Sequence, residues 1–446
     1  MVFVLFAVFL NPHIINELKK IIMRKFTFTL LAAITILFAN AQSVNRVLIL
    51  NEGYYDYVSS EIITPVTIGA YDPATSIYTT LDEIENARFA TDIKIDGNYF
   101  YVAADDHLLK YDLLTNELIN SVEITGIRKI AFWNDDIIVT RGEYLLTFDS
   151  YVQVYDKNSL EMSFEVPGDI VPHAAEGIVV NDGIAYVAVN NGFIWGEEVG
   201  YIAAVDLYTQ TVISTIDLGP NGKNPDNIMM DGDNIFTLNN KDYTGSSVSN
   251  FKIGTGDIAT TDLINISAGC GTSVYFNGDI YYQELFNSVV TKYNPITEVI
   301  VDETDYTKNF YAIAFDEINN LMYASETDYF SFGKINIYEI GGDLISSFDA
   351  GVSPGNIVLD VRMGTAVNEI KPAEIKIYPN PTVETLSIQM TGNSLIDLVE
   401  IYSVDGKKIE IQSTANSIDV SSLSAGTYFL KITSGDNVIS KSFSKI

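Results

Sequence analysis

A chain of 446 residues exceeds one ordinary compact core and calls for two domains, or for a large repeat fold with an appendage. Its 27 Tyr and 23 Phe, with abundant Ile, Val and Thr and little helical periodicity, favour an all-β class. The net charge of −32 argues against nucleic acid or anionic membrane as partner, because both repel such a surface.

The first predicted element is a removable export signal. From Met23 the chain reads MRKFTFTLLAAITILFANAQS: Arg24 and Lys25, an apolar run to Phe38, then Ala39-Asn40-Ala41 before Gln42. A positive end, a short apolar core and an A-x-A site make residues 23–41 a secretory signal peptide cut between Ala41 and Gln42. The apolar run is short for a membrane span. Residues 1–22 fit no signal layout and read as an extension upstream of the true start, the alternative being an anchor built from MVFVLFAVFL. No cysteine follows the cleavage site, which speaks against bacterial lipidation. The single cysteine, Cys270, cannot form an intrachain disulfide and reads as a buried, inert thiol.

Next comes a repeat. An Ile or Val followed three residues later by Asp or Asn recurs at Ile93/Asp96, Ile178/Asn181, Ile228/Asp231, Val274/Asn277, Ile313/Asp316 and Ile357/Asp360, with a variant at Ile130. Spacings of roughly 37 to 50 residues suit propeller blades. After each of the first six in chain order comes a second strand such as YFYVAAD or IAYVAVNN, a third such as LLKYDLLT or VQVYDKNS, and a weaker fourth. Four strands joined by Gly, Asn and Asp turns make a blade. RVLILNEG, PVTIGAYDPAT and SIYTTL supply strands two to four of a further unit, and GNIVLDV, after the last full unit, supplies its first strand. Joining the termini yields a seven-bladed β-propeller over residues 44–362 with no free sheet edge at the seam. A parallel β-solenoid is the alternative.

Residues 363–372 read as a linker. Residues 373–446 carry short alternating strands, enough for a small immunoglobulin-like β-sandwich. Their motifs are Tyr378-Pro379-Asn380-Pro381, IYSVDGKKI with Gly406 and Lys407, LSAGTYFLKI with Gly426 and Tyr428, and SKSFSKI with Lys441. Together they closely resemble the C-terminal sorting domain (type A) of the type IX secretion system of Bacteroidetes. The resemblance implies that the tail engages that machinery at the outer membrane and is removed, leaving the propeller secreted or on the cell surface. The propeller more loosely resembles YncE-like surface propellers of Bacteroidetes, through LNEG at Leu50–Gly53, the Y-D-x-x-T turns and EGIVVNDGIAYVAVN. Some of those capture cobalamin, but this chain lacks their lipidation cysteine, which puts that ligand in doubt.

Catalytic signatures are scarce. Only His107 and His173 remain after signal removal, and zincin, Cys-x-x-Cys, G-x-S-x-G and phosphate-loop patterns are missing from the sequence. Asp105, Asp106 and His107 would lie on one face with His173 as a small metal site, or else form an ordinary solvated turn and a capped loop. About −34 of the charge falls between residues 42 and 370, so calcium is the one cofactor the sequence raises. Its candidates, Asp231/Asp233 and Asp302/Asp305, match no calcium-loop spacing and read as turns. With 58 Asp and Glu, a glycosidase pair can be neither identified nor dismissed.

Function therefore rests on one end of the propeller. Loops between second and third strands hold Tyr54, Tyr55, Tyr144, Trp195, Tyr243 and Tyr329. The approach to each first strand adds Arg128, Glu176, Asp226 and Tyr311. Aromatic walls around convergent polar groups suit an extracellular glycan, corrinoid or protein ligand, bound by a monomer. The alternatives are a secreted hydrolase or lyase acting on glycans, and an adhesin. The aromatics could equally pack on neighbouring blades and stiffen long loops.

Overall fold

The computed structural model describes residues 42–446, apart from 242, 269–271, 305–307, 364–374, 391–397, 404–406, 410, 412, 415–416 and 435–436. The signal-peptide reading, Ala41, Cys270, Asp305, Gly406 and nearly all of the linker lie outside the described residues. The chain divides into one unit at Asn40–Met363 and a second that contains Gly364–Ile446.

Seven four-stranded antiparallel sheets build the first unit. Blades one to six follow chain order, their first strands being Ala90–Asp96, Ile127–Trp133, Ala175–Asn181, Pro225–Asp231, Ser273–Phe276 and Ile313–Asp316. Blade seven takes its first strand, Pro354–Met363, from the C-terminal side and the rest, Gln42–Asn51, Val66–Asp72 and Ile77–Ile84, from the N-terminal side. The seam is a long antiparallel ladder in which Ile49 lies opposite Ile357 and Val47 opposite Leu359. Each first strand packs against the next, and Pro354–Met363 touches both Ala90–Asp96 and Ile313–Asp316, so the ring closes.

Side-chain alternation explains how the blades adhere. In the second strand of blade one, Phe100 and Val102 pack toward blade seven with Leu48 and Ile68, while Tyr101 and Ala103 pack toward blade two with Ile130 and Ile137. The same division repeats around the ring, for example Tyr186 and Ala188 against Ile228 and Ile235 of blade four. Tyr323 and Ile337 of blade six meet Val47 and Ile49 of blade seven. Each fully buried Leu, Ile, Val or Phe contributes roughly 1.5–3 kcal/mol, and period-2 alternation lets one strand supply two interfaces.

The ends of the propeller differ. At one, first-to-second and third-to-fourth connections are tight. Asp112, Asp156 and Asp206 close the third strands of blades one to three, and each carboxylate accepts backbone N–H bonds two and three residues ahead, such as Asn158 N and Ser159 N on Asp156 at 2.9 and 2.8 Å. This is the turn chemistry behind the repeated Asp and Thr/Ser, and it lowers the pKa of all three aspartates, mainly through those N–H donors. Asp231 ends a strand and accepts a 2.6 Å bond from the Tyr275 hydroxyl. Asp302 lies in the strand Val299–Thr304, which corrects its reading as a turn residue.

The second unit is a sandwich of two four-stranded sheets. Leu386, Ile388 and Ile418 of one pack against Ile401, Leu430, Ile432 and Phe443 of the other. Its motif residues have structural work. The Asn380 side chain bonds the last strand on both sides, donating to Ser442 O at 3.3 Å and accepting from Ser444 N at 2.9 Å. The Lys407 carbonyl accepts from Ser403 N. Gly426 opens the strand Gly426–Ser434, in which Tyr428 stacks on Phe443 and donates to Ser424 O, and Lys441 stands opposite Leu430. Tyr378 is half exposed beside Pro379 and Pro381.

Candidate functional site

The other end of the propeller carries the second-to-third loops and the approaches to the first strands. Among the described residues its side chains gather in three groups. On blades two and three, Arg128 pairs with the buried Glu176 at 2.8 Å and lies over the Phe193 ring, 5.2 Å from its centroid. Next to it, Lys129 Nζ donates to the Thr91 carbonyl at 2.6 Å. On blades three and four, Trp195 and Tyr243 stack at 5.3 Å with planes 8° apart, and Trp195 stays 75% exposed. Asp226 lies at the head of blade four's first strand.

The third group, on blades six and seven, centres on a residue that sequence reasoning missed. Glu52 follows Asn51, a buried side chain that bonds Thr67 and Tyr78 and accepts from Gly351 N. That anchor directs Glu52 to the first-strand heads, where Tyr311 donates its hydroxyl to both carboxylate oxygens at 3.0 and 3.1 Å. Gly355 makes room for it: a Cβ there would lie 2.0 Å from Glu52 Oε1 and would push the carboxyl aside. Loss of solvent around the carboxyl pushes its pKa up to about 7, opposed by the Tyr311 bond and by the positive charges of Lys129 and Arg128. Tyr311 meets Tyr329 edge-on at 5.2 Å, and Tyr54 meets Phe330 edge-on at 5.1 Å. The LNEG stretch carried the signal, as an acid set in an apolar strand end beside a positive-φ Gly53.

Tyr55 pairs instead with Tyr57 on its own hairpin. Tyr144 is exposed on blade two, the blade that also carries Arg128. The aromatics thus do both things weighed from the sequence: they join neighbouring loops, yet Tyr144, Trp195, Tyr243, Tyr329 and Phe330 all keep large exposed faces. Tyr243 and Tyr329 sit at φ +63° and +69°, strained for non-glycine residues.

The four metal candidates do not come together. Asp105 is buried and held by Arg88, which also bonds Glu143 at 3.1 Å. His107 pairs with Asp106 at 2.5 Å and lines a small apolar pocket with Ile84, Ala87 and Leu109. His173 lies edge-on to Tyr201. Among the described residues no three His, Cys, Asp or Glu side chains are placed to hold a metal.

Comparisons with known proteins give a family for the tail and solved structures that match most of the chain. Residues 376–445 match the secretion system C-terminal sorting domain family. No curated protein sequence matches the chain. Similar solved structures include BamB from Moraxella catarrhalis, at 15% identity and TM-score 0.42, covering 62% of this chain and 82% of that one. The extracellular domain of BT4673 from B. thetaiotaomicron has 13% identity and TM-score 0.48, with 90% and 57% coverage. The dihydro-heme d1 dehydrogenase NirN in complex with DHE has 9% identity and TM-score 0.48, with 84% and 73% coverage.

Proposed function

From a tail that is a type IX secretion sorting domain, which sends this cargo to the cell surface or beyond, we propose that the propeller is a ligand-binding module whose loop-bearing end is the binding face. The observation that carries this reading is the stacked, exposed Trp195–Tyr243 pair. Large rigid rings left in solvent beside an ion-paired, hydrogen-bonded polar ring are what binding surfaces retain and stable surfaces otherwise avoid. Its ligand belongs to the glycans, corrinoids or surface proteins that an exported module meets.

Tryptophan emission offers the test, since Trp133 and Trp195 are the chain's 2 tryptophans and Trp195 is the exposed one. A ligand found by thermal-shift screening of the mature chain should change that emission. Trp195→Ala should then weaken its binding by ~1–3 kcal/mol. Ligands indifferent to Trp195, Tyr243 and Tyr329 together would overturn the assignment of this face.

A second reading has one observation in its favour. Glu52, a carboxyl whose pKa is raised to about 7 by loss of solvent, suits a general acid, as a glycan hydrolase or lyase would need. The buried carboxylates at the first-strand heads are engaged, Glu176 by Arg128 and Asp92 by the Ile130 N–H. Product release from polysaccharide, abolished by Glu52→Gln, would favour this reading over simple binding.

A further inference from the structure

We propose that the Glu52–Tyr311 corner of the loop-bearing end is a subsite for an organic ammonium group. This deepens the binding-face reading and rests on it. Glu52 is enclosed at the first-strand heads with the Tyr311 hydroxyl on its oxygens, and no lysine or arginine among the described residues forms an ion pair with it. A desolvated carboxylate with one neutral donor is an incomplete site, and a cation completes it. The surrounding groups are aromatic: Tyr311 with Tyr329, and Tyr54 with Phe330, joined through the adjacent positions 329 and 330.

Ring faces attract ammonium groups, most strongly where water is partly displaced. Tyr329 is 51% exposed and Phe330 65% exposed, so ring surface is open to a ligand. The charge of about −34 on the propeller region draws cations from a distance.

Two cations act on Glu52 from blade two, and both are already engaged. Arg128 is neutralised by Glu176, and Lys129 Nζ is held by the Thr91 carbonyl. They lower the Glu52 pKa but do not overcome the loss of solvent. Ammonium binding must therefore displace the Glu52 proton below about pH 7, and affinity should rise with pH.

The test is calorimetric titration of the mature chain with choline and with 3,3-dimethylbutan-1-ol, its uncharged carbon counterpart. Choline should bind at pH 8 at least tenfold more tightly than the alcohol. At pH 6 its affinity should fall about tenfold, because only about a tenth of a group of pKa 7 is then ionised. Glu52→Gln should remove the charge preference, and Tyr208→Ala, an exposed ring at the opposite, tight-turn end of the propeller, should leave it intact. Tyr329→Leu, an exposed change, gives a second variant and should weaken choline several-fold if Glu52→Gln fails to fold. Equal binding of the two compounds, a Glu52→Gln protein that still prefers choline, or no choline binding at pH 8 would overturn the proposal. Should choline fail while a screened ligand still depends on Trp195, the binding face stands and the ammonium subsite alone falls.

Discussion

At one end of the propeller, side chains are used to hold the backbone. At the other, the backbone is bent to hold side chains. The tight end spends Asp112, Asp156 and Asp206 on capping N–H groups and places glycines such as Gly97, Gly183 and Gly232 at positive φ, where they fit without strain. Non-glycine residues take positive φ at both ends, but where Leu160 of a tight turn is buried, Leu145 and Tyr329 of the loop-bearing end leave half or more of the side chain in solvent. Strain retained where it serves no packing need points to function. The contrast predicts that stability and binding are written on opposite ends of the same strands.

Both ends depend on the seam, so the largest effect should come from opening it. A chain ending after Val352 loses the strand that pairs with Gln42–Asn51 and strips Val47, Ile49 and Ala90 of neighbours. We expect it to lose cooperative melting by calorimetry. A chain ending after Ile370 keeps the seam and should melt as one transition. Aggregation of the longer truncation would mean that the propeller relies on the sorting domain to fold.

Within an intact ring, the next largest effect should be the pH response of Glu52. Its folded pKa of about 7 lies above the ordinary 4.5. The neutral acid is therefore favoured in the fold: this contribution is fully present below about pH 4.5 and is lost as pH rises through about 7. At most about 3 kcal/mol is involved, and less in practice, because part of Glu52 remains in solvent. Urea titrations between pH 4.5 and 8 should show wild-type stability falling relative to Glu52→Gln. A constant difference between the two would remove the desolvation argument.

The tight end should respond to backbone changes. Gly183 sits at φ +78°, and a Cβ there would meet the Tyr208 ring at 2.2 Å. Tyr208 is exposed and can swing aside, so the cost of Gly183→Ala is mostly the left-handed backbone, about 1 kcal/mol, with ligand affinity unchanged. A fall in affinity would show that the two ends are coupled.

Much of this architecture was legible because it is periodic. Ile93, Ile130, Ile178, Ile228, Val274, Ile313 and Ile357 all fall in first strands, and the complementary fragments at the termini fixed the seam. The site was less legible, for a physical reason. Trp195 and Tyr243 lie in loops 48 residues apart that only ring geometry brings into contact. Glu52 resisted most of all: among 58 acids its distinction is enclosure, and enclosure comes from Tyr311 and Gly355, each about 260 to 300 residues away. Asp105 was ambiguous for the same reason: its acidic run allowed a metal site or an ordinary turn, and only the fold shows it held by Arg88, 17 residues earlier.

The smallest expected effect on stability is also the sharpest test of the contrast between the ends. Tyr329→Gly removes a half-exposed ring, and it also removes the penalty of holding a tyrosine at φ +69°. Relief of that strain, about 1 kcal/mol, is set against the added freedom of glycine in the unfolded chain, about 0.4–1 kcal/mol, and against the edge contact with Tyr311. The terms nearly cancel, so the melting temperature should move by no more than a degree or two, whereas choline or a screened ligand should bind several-fold more weakly. Trp195→Ala should behave alike for ligands that reach its stack, since its exposed ring buries little to lose. If instead both variants lost many degrees of melting temperature and bound as before, the rings would be braces between loops. The strained tyrosines would then be a by-product of loop packing, and the division of labour between the two ends would have no basis.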